Sequence, residues 1–236
     1  MILEMKNVHV NLGLSHVLQG VNLSIKAGET VGLFGRNGVG KTTIVKTIAG
    51  WYKPNQGAIY FQGKPINEFP PNVITRLGVG LVPEDRRIFP GISVEDNLRL
   101  GLMQVAFSER KEAEGRIEKV FERFPSLGQR RKQSGTTLSG GEQQMLAMAR
   151  ILIGEPKLLL IDEPTEGLAP MIVSDIFKLM QELKHQGVAI LLIEQNIHKA
   201  IRFCDRHYVV ERGQVVLEGN SSSQSDRDSL LKQVSV

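Results

Sequence analysis

A chain of 236 residues, 41% hydrophobic and 23% charged with a net charge of +4, has the proportions of a soluble globular protein: one α/β domain, with or without an inserted lobe. The single cysteine, Cys204, excludes an internal disulfide and suits a reducing cytosol, while the small basic excess suits phosphate ligands, an anionic membrane surface, or solubility alone. Residues 1–11 lack the long apolar stretch of a secretory signal and the most apolar runs are far too short to span a bilayer, so any membrane part of the work falls to another chain.

Short, continuous apolar runs are predicted as buried strands at Thr30–Phe34, 58–61, Val79–Val82, 158–161 and 188–193. Helical patterns lie between them. Residues 42–49 follow the first run directly. Within 109–124 the apolar residues Ala113, Ile117, Val120, Phe121 and Phe124 recur at helical spacing. Ile172, Ile176, Leu179, Met180 and Leu183 do so again, before a stop at Gly187. This alternation argues for an α/β fold. It is broken from about residue 88 to 153, where only helices are predicted. That stretch reads as a helical lobe inserted into a core lobe of about 1–87 and 154–219. Residues 220–225 read as a solvated loop opening a short tail, 220–236, with a turn of helix.

Directly after the first strand, Gly35-Arg36-Asn37-Gly38-Val39-Gly40-Lys41-Thr42 matches the phosphate-binding pattern G-x-x-x-x-G-K-[ST]. Glycines let the backbone fold tightly, so that its N–H groups face phosphate oxygens. Lys41 adds a charge that reaches the β- and γ-phosphates, and the Thr42 hydroxyl can ligate Mg2+. The helix beginning near Lys41 points its positive end at the same anion. Farther on, the run 158–161 ends in Asp162 and Glu163. An ionised carboxylate at a buried strand end is costly unless it is paired or binds a cation, so Asp162 is the candidate for holding a metal and its water shell. Glu163 is the candidate general base toward an attacking water. A solvated strand end running into Pro164 is the plainer alternative.

Leu138-Ser139-Gly140-Gly141-Glu142-Gln143 precedes the Asp162-Glu163-Pro164 block and follows the phosphate loop. In this order the motifs resemble the ABC ATPase family over nearly the whole chain. Ser139, Gly140 and Gly141 can present a hydroxyl and backbone N–H groups at a helix start, a second anion site, with Glu142 placed to complete the cap. The resemblance implies a P-loop NTPase core with a mainly parallel sheet, an N-terminal antiparallel β portion and an inserted helical lobe. It also implies two ATPase subunits, alike or different, paired head to tail. The nucleotide contacts are then Gly35 to Thr43 of one subunit and Ser139 to Glu142 of the other. Further segments carry the likeness to one subgroup: Val82-Pro83-Glu84, Arg86-Arg87-Ile88-Phe89-Pro90, Glu166-Gly167-Leu168-Ala169-Pro170 and Ile193-Glu194-Gln195-Asn196. They are similar to the ATPases of importers for branched-chain amino acids, urea or short amides. That subgroup implies integral membrane permease subunits as partners, a periplasmic solute-binding protein as an indirect one, and a peripheral place on the cytoplasmic face of the bacterial inner membrane.

Some positions depart from the general family. Leu12 stands where an aromatic residue stacks on adenine, leaving Val17 and Leu18 as other candidates for the base pocket. Glu84 replaces a glutamine, yet still offers an oxygen to Mg2+ or water. Ala169 replaces an acid, and Gln195 replaces a histidine that meets the γ-phosphate. A glutamine amide can donate to phosphate and accept from water, but it does not ionise. The subgroup reads V-P-E and E-Q-N at these places, so hydrolysis is expected to survive. The five histidines show no metal-ligand spacing.

The resulting expectation is an ATPase with Glu163 as base, Lys41 and Gln195 at the phosphate, and Thr42, Asp162 and Glu84 toward Mg2+. Residues 84–97 would then pass motion to the membrane subunits, with Asp85, Arg86 and Arg87 as contacts or as a solvated loop. An exporter ATPase and a binding-only nucleotide sensor are the rival readings. An ATPase acting on DNA or ribosomes would bring a long coiled coil or a second fused domain, and the chain has room for neither, so no nucleic-acid partner is expected.

Overall fold

Residues 1–105 and 109–234 are described in a computed structural model of the chain. Positions 106–108 of the predicted lobe and 235–236 of the predicted tail lie outside them. The chain opens with a hairpin of β1 (Leu3–Leu12) and β2 (Ser15–Ile25), whose inward residues Leu3, Met5, Val8, Val10, Leu18, Val21 and Ile25 are buried. With β4 (Gln56–Phe61) and β5 (Lys64–Pro65) they form an antiparallel sheet in the order β2-β1-β4-β5. Such a sheet, apolar on one face, needs a covering layer.

The cover is a six-stranded sheet in the order β10-β9-β3-β8-β7-β6. Its strands are β3 (Thr30–Phe34), β6 (Val79–Val82), β7 (Leu158–Asp162), β8 (Ala189–Ile193), β9 (Arg206–Glu211) and β10 (Gln214–Asn220). The pairs from β9 through β6 are parallel, and β10 is antiparallel to β9. β3, β7 and β8 are buried along their whole length, as continuous apolar runs require when both faces are covered. On one face Val31, Leu33, Leu158, Leu160, Leu191 and Ile193 join the first sheet and α1 (Lys41–Ile48). On the other, Phe34, Ile161, Ile190 and Leu192 pack against α8 (Pro170–His185), α9 (Ile197–Phe203) and α10 (Gln224–Val234).

A short α2 (Pro71–Arg76) precedes β6. Between β6 and β7, apart from a Ser93–Ser134 bridge, the regular elements among the described residues are helical: α3 (Val94–Arg99), a 3-10 turn at Leu100–Gln104, α4 (Arg110–Ala113), α5 (Gly115–Arg123), α6 (Pro125–Gln129), a 3-10 turn at Gly135–Thr137 and α7 (Gly140–Leu152). Val94, Leu98, Ile117, Phe121, Leu127 and Leu146 give them an apolar cluster of their own. The predicted helix over 109–124 is divided at Glu114, just before Gly115, because glycine is a poor helix former; Pro125 then bars continuation through Phe124.

The structure differs from the sequence reading at the C-terminal end. β9 and β10 form a hairpin that the apolar runs did not reveal. Its turn, Arg212-Gly213, has φ of 47° and 77°, the doubly left-handed geometry of tight hairpins. A Cβ on Gly213 would lie 2.0 Å from the Val17 carbonyl oxygen, so only glycine lets the hairpin reach β2. Residues 220–225 are largely solvated, with Asn220, Ser222, Gln224 and Ser225 exposed, but Asn220 closes β10, and the buried Ser221 hydroxyl meets His207 Nδ1 at 3.1 Å. The tail is an eleven-residue helix, α10, with Leu230 fully buried in the sheet's second apolar cluster. Serines mark the linker, but one well-placed leucine docks the helix beyond it. Replacing Leu230 with alanine should lower the unfolding free energy in urea by about 2–3 kcal/mol; an unchanged midpoint and slope would mean that α10 is not docked.

Candidate nucleotide site

The parallel strands bring the candidate residues to one edge. Leu33 of β3 and Asp162 of β7 both stand opposite Ile193 of β8, and Val82 of β6 stands opposite Ile161. The segments leaving these strands therefore emerge together: the phosphate loop after β3, Gln195 after β8, Asp162 and Glu163 at the end of β7, Glu84 after β6. Ligands of parallel sheets bind at this carboxyl edge. Here Asn37, Gly38, Gly40, Lys41, Thr42, Thr43, Glu84, Glu163, Glu166, Gln195 and Val17 line a cavity of about 300 Å³.

Within the loop Gly35, Gly38 and Gly40 have φ of 144°, 81° and 111°, open to glycine and strained for other residues. A Cβ at Gly35 would lie 2.3 Å from the Val210 carbonyl oxygen. Gly40 caps α1 at its N-terminus, which aims the first N–H groups into the cavity. Lys41 is 7% exposed, and its Nζ donates to the carbonyl oxygens of Gly35 at 2.8 Å and Arg36 at 2.9 Å. Burial lowers its pKa, against the opposing pull of Glu163 and Asp162. Not every predicted loop residue faces the cavity. Gly35, Arg36 and Val39 line a separate groove with Val210 and Glu211.

Two sets of acids face the loop. Asp162 is buried, and burial pushes its carboxyl up to about 6; a Thr42 hydrogen bond opposes this, while Glu163 and Glu84 add to it. Its Oδ1 has no hydrogen-bond partner among the described residues. Such an oxygen is costly to bury, and a hard cation or a water bound to one would satisfy it. Glu84, Glu163 and Glu166 bring one carboxylate oxygen each within 4.8 Å of one another. Desolvation first, then Glu163, Glu166 and Asp85, raise the pKa of Glu84. Oxygen donors of the kind Mg2+ takes are thus present, with Glu84, Glu163 and Glu166 converging and Thr42 and Asp162 close by. Glu163 is left-handed, φ 47°, with its N–H held by the Ile193 carbonyl at 3.0 Å, and its Oε2 accepts from Gln195 Nε2 at 2.5 Å. Glu166 was not a candidate from the sequence, although its spacing from Glu163 was visible there.

Ser139, Gly140, Gly141 and Glu142 do not reach this cavity. Ser139 caps α7, donating its N–H and hydroxyl to Glu142 Oε2 at 3.0 and 2.8 Å. Burial raises the Glu142 pKa, but the Ser139 bonds and Arg130 outweigh it and hold the carboxyl below its usual range. Glu142 therefore faces Ser139 and Arg130. Near the loop, Val17 lines the cavity, Leu18 is wholly buried, and Leu12 packs on the core. Ala169, exposed, precedes Pro170 at the start of α8 with no side-chain cap.

The ABC transporter family model matches residues 18–166. The chain belongs to the ABC transporter ATP-binding family. It is a transporter ATPase subunit, which binds and hydrolyses ATP. The high-affinity branched-chain amino acid transport ATP-binding protein BraG of Pseudomonas aeruginosa is 39% identical over 222 residues, 94% of each chain. The lipopolysaccharide export system ATP-binding protein LptB of Haemophilus influenzae is 31% identical over 99% of this chain and 96% of its own. A solved dimeric ATP-binding cassette in a post-hydrolysis state, bound to ADP and phosphate, superposes with a TM-score of 0.81 at 27% identity, covering 93% of this ATPase and 98% of that chain. Cassettes of this family form dimers and work with membrane permeases. No helix among the described residues of this one is long and apolar enough to cross a membrane.

The Asp162 carboxyl gives a test in EDTA. Its folded value near 6 lies above its ordinary 3.8, so between these the folded state binds more proton than the unfolded state. Its contribution to stability is present at low pH and is lost as pH rises through 6. Asp162→Asn should therefore melt several degrees higher than the native chain at pH 7.5, at about 2–4 °C per kcal/mol for a chain of this size. The gain should shrink toward pH 4. A lower melting temperature at pH 7.5 would mean that the carboxylate is not a burden there.

Proposed function

We propose that this ATPase powers uptake of a small polar solute, with branched-chain amino acids first and urea or short amides next. The convergence of Lys41, Glu163 and Gln195 on one cavity carries the chemistry. The likeness to BraG supports import and the solute class. An exporter role is the second reading, favoured by the near full-length likeness to LptB.

In the chemistry we propose, the glycine loop from Gly35 to Thr43 wraps the phosphates with backbone N–H groups, and Lys41 supplies charge to the β- and γ-oxygens. Thr42, Asp162 and Glu84 would hold Mg2+, which when bound neutralises phosphate charge. Glu163 takes a proton from water as the water oxygen bonds to the γ-phosphorus and the bond to ADP breaks. Gln195 orients the Glu163 carboxylate through the hydrogen bond described above. Ser139, Gly140 and Gly141 lie outside the cavity, so they serve the nucleotide of a second ATPase subunit, a copy or a different chain. Glu142 fixes the Ser139 hydroxyl. ATP drives closure of such a pair only by binding the closed form more tightly.

The lobe of about 88–153 is then the part that moves against the core, and residues 84–97 pass that motion to the permease. In that region Trp51 and Phe89 are exposed at 45% and 49%, and the Arg87 guanidinium lies 4.4 Å from the Trp51 ring centroid. Exposed aromatic residues, one of them under a cation, suit a protein partner. The subunit would sit on the cytoplasmic face of the bacterial inner membrane, with a periplasmic solute-binding protein feeding the permease.

Glu163→Gln should cut phosphate release at least 100-fold while leaving ATP affinity within a few-fold; undiminished turnover would remove Glu163 from the role of base. Trp51→Ala with Arg87→Glu should leave the isolated ATPase rate unchanged and abolish co-purification with permease subunits. Retained co-purification would place the permease elsewhere.

A further inference from the structure

Arg86 lies on the short segment that leads from β6 into the helices. Its φ is 56° and that of Arg87 is 46°, two consecutive left-handed residues that are not glycine. That backbone is unfavourable for residues with a Cβ and persists only where surrounding contacts hold it. Here it lays the Arg86 guanidinium over the first turn of α7. Nη1 lies 3.0 Å from the place a Cβ on Gly140 would take, and Nη2 donates to the Glu166 carbonyl oxygen at 3.5 Å. The Arg86 carbonyl in turn accepts from Nη2 of Arg150, a buried residue of α7, at 3.3 Å. Both ends of the residue are therefore fastened to or beside the helix that Ser139 caps.

Among the described residues Arg86 forms no ion pair with a carboxylate. A helix start carries partial positive charge, so a guanidinium beside it is repelled and an anion is favoured. The Arg86 side chain bonds a neutral carbonyl oxygen. Glu142, the acid of that turn, is engaged by Ser139 and by Arg130 at 3.2 Å. Gly140 has no side chain to screen the guanidinium from its backbone, and a Cβ there would press against Nη1 at 3.0 Å.

We propose that Arg86 is a phosphate-binding residue that acts in trans: with Ser139, Gly140 and Gly141 of its own chain, it contacts the terminal phosphate of ATP held by a second copy. This rests on the two-subunit reading above. A guanidinium fork takes two phosphate oxygens at once, and an arginine supplied from a partner stabilises charge on a phosphoryl group in transfer. Glu84, on the same segment, lines the chain's own nucleotide cavity. One short segment thus places an acid at the chain's own nucleotide and a cation at its neighbour's, which links occupancy of the two.

Mixed dimers test this. Arg86→Ala alone should melt like the native chain and, when too dilute to pair, bind ATP with unchanged affinity, yet at pairing concentrations turn over at least tenfold more slowly; Arg86→Lys should recover part of the rate. Mixed with an equal amount of Lys41→Ala, itself inactive, Arg86→Ala should regain activity, because the mixed dimer joins an intact loop to an intact Arg86 and Ser139. The gain should approach about a quarter of the native rate, since half the dimers are mixed and each holds one complete site. Ser139→Arg mixed with Lys41→Ala is the reference. If the reference recovers and the Arg86 mixture does not, Arg86 acts within its own chain and the inference is overturned. Weakened ATP binding by the Arg86→Ala chain at concentrations too low for pairing overturns it too. If neither mixture recovers, the second-copy reading fails and the Arg86 role fails with it.

Discussion

Parallel register is the constraint on which the rest depends. β3, β8, β7 and β6 lie side by side with their carboxyl ends at one edge, so the phosphate loop, Gln195, Asp162 with Glu163, and Glu84 meet although they are far apart in the chain. Those strands run parallel because each returns through a helix, and they can be wholly apolar because other layers cover both faces. The chemistry needs the sheet for position, and the sheet needs the burial on both sides for stability. A register slip of one residue in β7 would turn Asp162 to the other face.

The site made this way is electrostatically uneven. Burial disfavours the charged forms of both Asp162 and Lys41, and three further acids crowd the opposite wall. A phosphate chain with a divalent cation complements both: the anion answers Lys41 and the helix start, and the cation answers the carboxylates. Glu163, left-handed at the same edge, adds local backbone strain, although left-handed residues such as Asn7, Gln62, Glu155 and Arg212 also occur in turns elsewhere. Stability is given up locally for function, as in many active sites.

A buried polar network ties this edge to the helices. Asn97, fully buried on α3, accepts the Phe89 N–H at 3.0 Å and donates to the Ser93 carbonyl at 3.0 Å. Arg150 reaches Asn97 Oδ1 at 3.4 Å and stands over the Phe89 ring at 5.1 Å. Such groups hold one arrangement well because an unmet hydrogen bond in the interior is expensive. The segment after Glu84 is thereby fastened to α7, the helix that carries Ser139 at its start.

The run 58–61 is β4 of the antiparallel sheet, with Ile59 and Phe61 buried and their neighbours half-buried, but local pattern alone determined β3, β6, β7 and β8, the helical character between β6 and β7, the phosphate loop and the two acids at the end of β7. Each is a short-range property: a continuous run, a helical spacing, or a fixed series of residue types. The β9–β10 hairpin was less legible, since its signal was a single Arg-Gly turn, and the tail looked like solvated serines because one leucine carries its docking. Only the tertiary structure decided that Glu166 joins Glu84 and Glu163, that Val17 rather than Leu12 faces the cavity, and that Ser139 stands apart from Lys41. These depend on which strands are neighbours and where loops return. That is set by the summed burial of the two sheets and their helices, and no short stretch of the chain contains it.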